Sequence, residues 1–141
     1  MLNLVPASAL AAAALALSGC MTIIPQPDMP IEQPAAPEGS NGWQKLGEAS
    51  DFGPVITPVR VVEDSRCPMN ARCVWAGRVV VETRIALRGG ADVRVVPMTM
   101  GEAVQVADGT ATLVAAWPDQ VTGREISNDE YRFAYRFDGG L

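Results

Sequence analysis

The residues of this chain able to do chemistry are few, and they gather around two thiols. Cys67 and Cys73 stand six positions apart in Asp64-Ser65-Arg66-Cys67-Pro68-Met69-Asn70-Ala71-Arg72-Cys73-Val74-Trp75-Ala76-Gly77. The 141 residues include no histidine, which removes the usual general base and the commonest metal ligand. Two carboxylate pairs occur, Glu63-Asp64 and Asp129-Glu130. Neighbours on a strand point to opposite faces, so paired acid chemistry would need a partner from elsewhere in the fold. Met98 and Met100 are spaced to share a strand face, and Met69 lies between the cysteines. Thioether and thiolate sulfur suit copper(I), which makes a soft-metal site one alternative reading. The expectation from these residues is a protein that is not an enzyme and carries no cofactor.

The third thiol, Cys20, closes Leu17-Ser18-Gly19-Cys20 at the end of an apolar run over residues 5–17. That run is shorter than the roughly 20 residues a helix needs to cross a bilayer, and it ends in small residues suited to a signal peptidase. The tetrapeptide resembles the bacterial lipoprotein signal, although Met1-Leu2-Asn3-Leu4 lacks the usual basic residue. The resemblance implies a signal peptide over 1–19, cleavage before Cys20, a diacylglyceride on its sulfur and an acylated (palmitate-type) amine. Several acyl chains at ~0.8 kcal/mol per buried CH₂ make a durable membrane anchor. Position 21 is Met and not Asp, which for such signals implies the outer membrane, facing the periplasm.

With Cys20 taken by lipid in an oxidising compartment, Cys67 and Cys73 are left as a disulfide pair. The closed loop is small, so the bridge contributes only ~2 kcal/mol through chain entropy and chiefly fixes a turn between two strands. Trp75 is expected to pack beside the sulfurs.

The net charge of −5 argues against nucleic acid as a partner. It is unevenly placed: between positions 60 and 94 lie seven arginines and four carboxylates, a local +3. Such a face is either simply solvated or binds anions. From Met21 to Gly42 five prolines are interleaved with Gln, Ala, Asp and Glu. Proline fixes φ and lacks an amide donor, so residues 20–42 read as a lipidated, extended tether, able to span roughly 60 Å at ~3.1 Å per residue.

Residues 43–141 read as one β domain. Extended runs are expected at 55–63, 73–87, 91–96, 103–107, 110–117 and 130–137, separated by Gly89-Gly90, Asp108-Gly109 and Pro118-Asp119. In the last run Tyr131, Phe133, Tyr135 and Phe137 alternate with smaller or charged residues, placing four rings on one face as core. Short alternating strands predict an all-β fold, an antiparallel β-sandwich of immunoglobulin-like kind or a small barrel. Leu46-Gly47-Glu48-Ala49 followed by Val59 to Asp64 is echoed, within one residue of spacing, by Met100-Gly101-Glu102-Ala103 followed by Val114 to Asp119. The echo predicts two equivalent halves about a pseudo-twofold axis.

The stretch from Asp64 to Gly77 resembles a group of uncharacterised small exported or lipid-anchored bacterial proteins carrying Asp-Ser-Arg-Cys-Pro, a short insert and Cys-Val-Trp-Ala-Gly. Pro118-Asp119 and Tyr131-Arg132 match that group's later turn and closing strand. The resemblance spans most of residues 43–141 and implies a periplasmic β domain without implying an activity. The functional expectation is a noncatalytic binding or envelope-associated module. Asp64, Arg66, Arg72 and Trp75 on the disulfide loop would face an envelope protein or an anionic ligand. The runner-up is a loop that inhibits an envelope hydrolase.

Overall fold

Hydrophobic alternation with β-branched and aromatic residues settles into strands wherever one face of the chain can be buried. The computed structural model describes residues 32–51, 53–87, 89, 90 and 92–139. Cys20 and the signal segment lie outside the described residues. Seven strands follow in order: β1 (Trp43–Gln44), β2 (Val55–Asp64), β3 (Val79–Ala86), β4 (Val93–Thr99), β5 (Ala103–Val106), β6 (Gly109–Trp117) and β7 (Arg132–Asp138). They form two antiparallel sheets, β1-β7-β6-β5 and β2-β3-β4, that do not close on each other. The fold is therefore a β-sandwich, and the barrel alternative is set aside.

Between the sheets lie Ile56, Val79, Val81, Ile85, Met98, Val106, Leu113, Tyr131, Phe133 and Tyr135. Phe133 and Tyr135 are fully buried, each adding on the order of 2–3 kcal/mol of apolar burial. Tyr131 stacks on Phe133 with ring centroids 5.5 Å apart. The aromatic face expected of the last strand is core, with Phe137 packed at its margin.

The expected strand over 73–87 starts six residues late, at Val79. Gly77 explains the delay. Its φ is +69°, and a Cβ built there would lie 1.7 Å from the Ser65 carbonyl oxygen, so the chain turns where only glycine fits. At the other end the packed unit reaches back past Trp43 into residues expected as tether. The Asn41 N–H donates to Tyr135 O at 2.8 Å, and Trp43 Nε1 donates to Pro34 O at 2.7 Å.

The sequence echo is present in the register. β1-β7-β6 and β4-β3-β2 are the same three-stranded unit: Thr83 pairs with Pro58 and Val96 in one, and Tyr135 pairs with Leu113 in the other. Each unit carries a bulge at the matching place, between Pro58 and Arg60 and between Leu113 and Ala115. The matching glycine turns donate to matching carbonyls, Gly47 N to Pro58 O at 2.7 Å and Gly101 N to Leu113 O at 2.9 Å. Equivalent residues of the two units, Thr83 and Tyr135, share a buried hydrogen bond of 3.0 Å, the contact a pseudo-twofold axis between the sheets would produce. Both units end in a long loop, after β2 and after β6, and these two loops build the site.

Candidate functional site

The first loop, residues 65–78, leaves β2 as a continuation of its pairing with β3. Ser65 N donates to Arg78 O at 2.8 Å and Cys67 N to Ala76 O at 2.9 Å, and then Pro68 opens a turn closed by Ala71 N on Pro68 O. The Cys67–Cys73 disulfide spans this turn with Cα atoms 5.9 Å apart. The loop also ties to the second one. Met69 N donates to Gln120 O at 2.9 Å, and Asn70 Oδ1 accepts from Thr122 N at 2.9 Å.

Beneath the loop sits an ion pair. Arg66 Nε and Nη2 donate to the two Asp64 carboxylate oxygens at 2.8 and 2.7 Å. Nη1 donates to Ala116 O and Nη2 to Pro118 O, both at 2.9 Å, while Tyr131 OH donates to Asp64 Oδ2 at 2.9 Å. The side chains of Arg66 and Asp64 are only 11% and 5% exposed. Burial by itself would push the Asp64 carboxyl up. The doubly bonded guanidinium, the Tyr131 hydroxyl and the Gln120 amide outweigh it and hold that carboxyl below its ordinary value. Burial, reinforced by the bond to Asp64, raises the Tyr131 hydroxyl to about 12. This cluster joins the ends of β2 and β6 and the start of β7, and its donors and acceptors are engaged with one another.

The four loop residues expected to form one surface therefore divide. Asp64 and Arg66 meet, but they point inward and serve the fold. Arg72 and Trp75 stay outside. Trp75 is 80% exposed, so the expected packing against the sulfurs does not bury it; residues 73–78 are exposed throughout and have no core face to offer it. Val74 at 92% and Met69 at 73% stand exposed with it. Met69 stands where the inhibitor-loop alternative needs it, whereas Val74 was not expected as a contact residue. The signal was Val74-Trp75 itself: two adjacent large apolar residues can both stay outside only if the segment is not a strand with one buried face.

The arginine-rich stretch is largely paired. Arg60 meets Glu82 across β2 and β3, Arg78 meets Glu63 at 2.8 Å, and Arg94 donates to Gln105 O. The Arg78 and Ser65 hydrogen bonds lower the Glu63 carboxyl. Arg72 forms no ion pair among the described residues. Adjacent Glu63 and Asp64 go to different partners, so they make no acid pair. Glu130 accepts from Ser127 and Arg124. Met98 is fully buried in the core while Met100 is 36% exposed, so the two do not offer a shared sulfur face. No group of three metal-ligating His, Cys, Asp or Glu side chains exists among the described residues.

Beside the ion pair runs a groove of about 740 Å³ between β2 and the second loop. Residues 61–64 form one wall; Gln120 and residues 124–128 form the other, with Tyr131 between them. No family model matches the chain, and no curated protein or solved structure matches it.

Proposed function

We propose that this chain is a noncatalytic binding module of the bacterial envelope, held by lipid on Cys20 at the periplasmic side of the outer membrane. The outer face of the disulfide loop is its recognition surface. The observation that carries the reading is the exposure of Met69, Val74 and Trp75 beside Arg72 on a loop whose inner side is pinned. Large apolar side chains held in water cost free energy that folding does not recover, and such clusters mark contact sites. Trp and Arg dominate binding energy at interfaces, and a loop fixed in advance loses little entropy on docking. The partner is an envelope protein, with Arg72 supplying a contact for an anionic group.

In-cell crosslinking of the intact lipoprotein tests this. A photoreactive residue at exposed position 71 of the same loop should give a defined adduct that excess soluble wild-type domain competes away and the Trp75→Ser, Arg72→Ala variant does not. Adducts no more specific than those from exposed Glu102 would end the proposal. The disulfide clip also favours a narrower version, in which the loop occupies the cleft of an envelope hydrolase. Assays against lysozymes and serine proteases test that version, and unchanged rates with all of them would discard it.

A further inference from the structure

The matching registers of the two halves allow one strand edge to be read against the other. In the second half, the edge of β6 beyond the end of β5 is covered by a guanidinium: Arg66 bonds Ala116 O and Pro118 O, both at 2.9 Å. The register sets Val61 of β2, opposite Val81, where β6 has Ala116, opposite Phe133. Beyond that point β2 carries one extra residue, Val62, at a second bulge between Val61 and Glu63 that β6 lacks, so Asp64, opposite Val79 and one step beyond Glu63, answers to Pro118, one step beyond Trp117. Two residues past each of these points stand Arg66 in the first loop and Gln120 in the second. Where one half has a long cation to fill the edge, the other has a shorter neutral amide that reaches only the Asp64 carboxylate, and the groove of about 740 Å³ remains open along residues 61–64.

The charges around the groove agree with the same occupant. Its lining carries Glu63, Asp64 and Glu125 against Arg124. Arg124 is engaged by Glu130, while Asp64 and Glu63 are balanced by Arg66 and Arg78. Exposed Glu125 is left without an ion pair among the described residues.

We propose that this groove receives an arginine side chain from a partner protein, its guanidinium lying along residues 61–64 of β2 as Arg66 lies along β6, with the Glu125 carboxylate at the rim. Planar guanidinium donors suit a pair of strand-edge carbonyls in a way an ammonium does not. The inference does not rest on the outer face of the disulfide loop, and either can fail without the other.

The test is an amide-resolved NMR titration of the full chain with N-acetylarginine amide, with N-acetyllysine amide and acetate as parallel probes. Arginine amide should shift the amides of residues 61–64 and 124–128 saturably, with a Kd in the millimolar range expected of one solvent-facing charged contact. Glu125→Gln should weaken that binding several-fold. Gln120→Arg, which plants an internal guanidinium at the equivalent position, should abolish it. No saturable shift up to a probe concentration roughly tenfold above millimolar would overturn the proposal. Equal response to the lysine or acetate probe would overturn it too, as would undiminished binding by Gln120→Arg.

Discussion

Arg66 and Arg72 flank the same disulfide and have opposite surroundings. Arg66 turns in, meets a buried carboxylate and two strand-edge carbonyls, and staples β2 to β6. Arg72 turns out with Val74 and Trp75 and forms no ion pair among the described residues. The difference lies in what the rest of the fold presents to each side of a 14-residue loop, since residue type is the same. Charge-bearing residues in a clipped loop are thus no guide to recognition by themselves; the inner ones are committed to holding the loop, and only the outer ones are free to meet a partner.

The contrast breaks most visibly at Arg66. Arg66→Ala strands the Asp64 carboxylate in a buried site, and loss of one partner of such a pair costs about 3–5 kcal/mol, read as a lower midpoint in urea denaturation. Arg66→Ala and Arg72→Ala costing the same would erase the distinction. Removing the clip with Cys67→Ala and Cys73→Ala should cost about 2 kcal/mol, because the closed loop is short and the inner hydrogen bonds persist. Loss of partner binding in that variant, at a temperature where it is still folded, would show that the clip serves the outer face.

Tyr131→Phe removes one hydrogen bond to a charged acceptor and should cost about 1.5 kcal/mol near neutrality. It also sharpens the alkaline side. Burial and the bond to Asp64 push the native Tyr131 hydroxyl up to about 12, above the ordinary value near 10 for an unfolded chain. Its contribution is therefore complete below that ordinary value and is lost as pH rises toward the native one, a decline that Tyr131→Phe should lessen. Asp64 acts at the other end: its lowered native value means stability that is present above the ordinary carboxylate range and lost as pH falls through the native one. Smallest of all, Trp75→Ser with Arg72→Ala should move stability by no more than about 0.5 kcal/mol, since neither side chain is packed.

Much of the fold was legible because its signals are local. The alternation from Tyr131 to Phe137 and the glycine-marked turns carry their own periodicity, and the two cysteines expected to pair stand only six positions apart. The repeat was visible as Leu-Gly-Glu-Ala against Met-Gly-Glu-Ala because the matching turns need glycine at positive φ, +81° at Gly47 and +87° at Gly101. The inward half of the site was not legible. Arg66 finds its carbonyls 50 and 52 positions away, and Asp64 its hydroxyl 67 away, and no spacing within residues 64–77 encodes those meetings. The two-residue strand β1 is likewise too short to show a period; its pairing with β7 defines it. Trp75 was misplaced because the strand expected over 73–87 begins only at Val79, and residues 73–78 are exposed throughout.

The central claim is that the outer face of the disulfide loop recognises a partner while the inner face only holds it. Quantitative capture of the crosslinked envelope partner by two equally folded variants, Trp75→Ser and Glu102→Gln, tests it most directly. The account predicts capture reduced at least about tenfold by the first, the scale on which an interfacial Trp acts, and unchanged by the second. Full capture by Trp75→Ser with an unaltered melting temperature would contradict it.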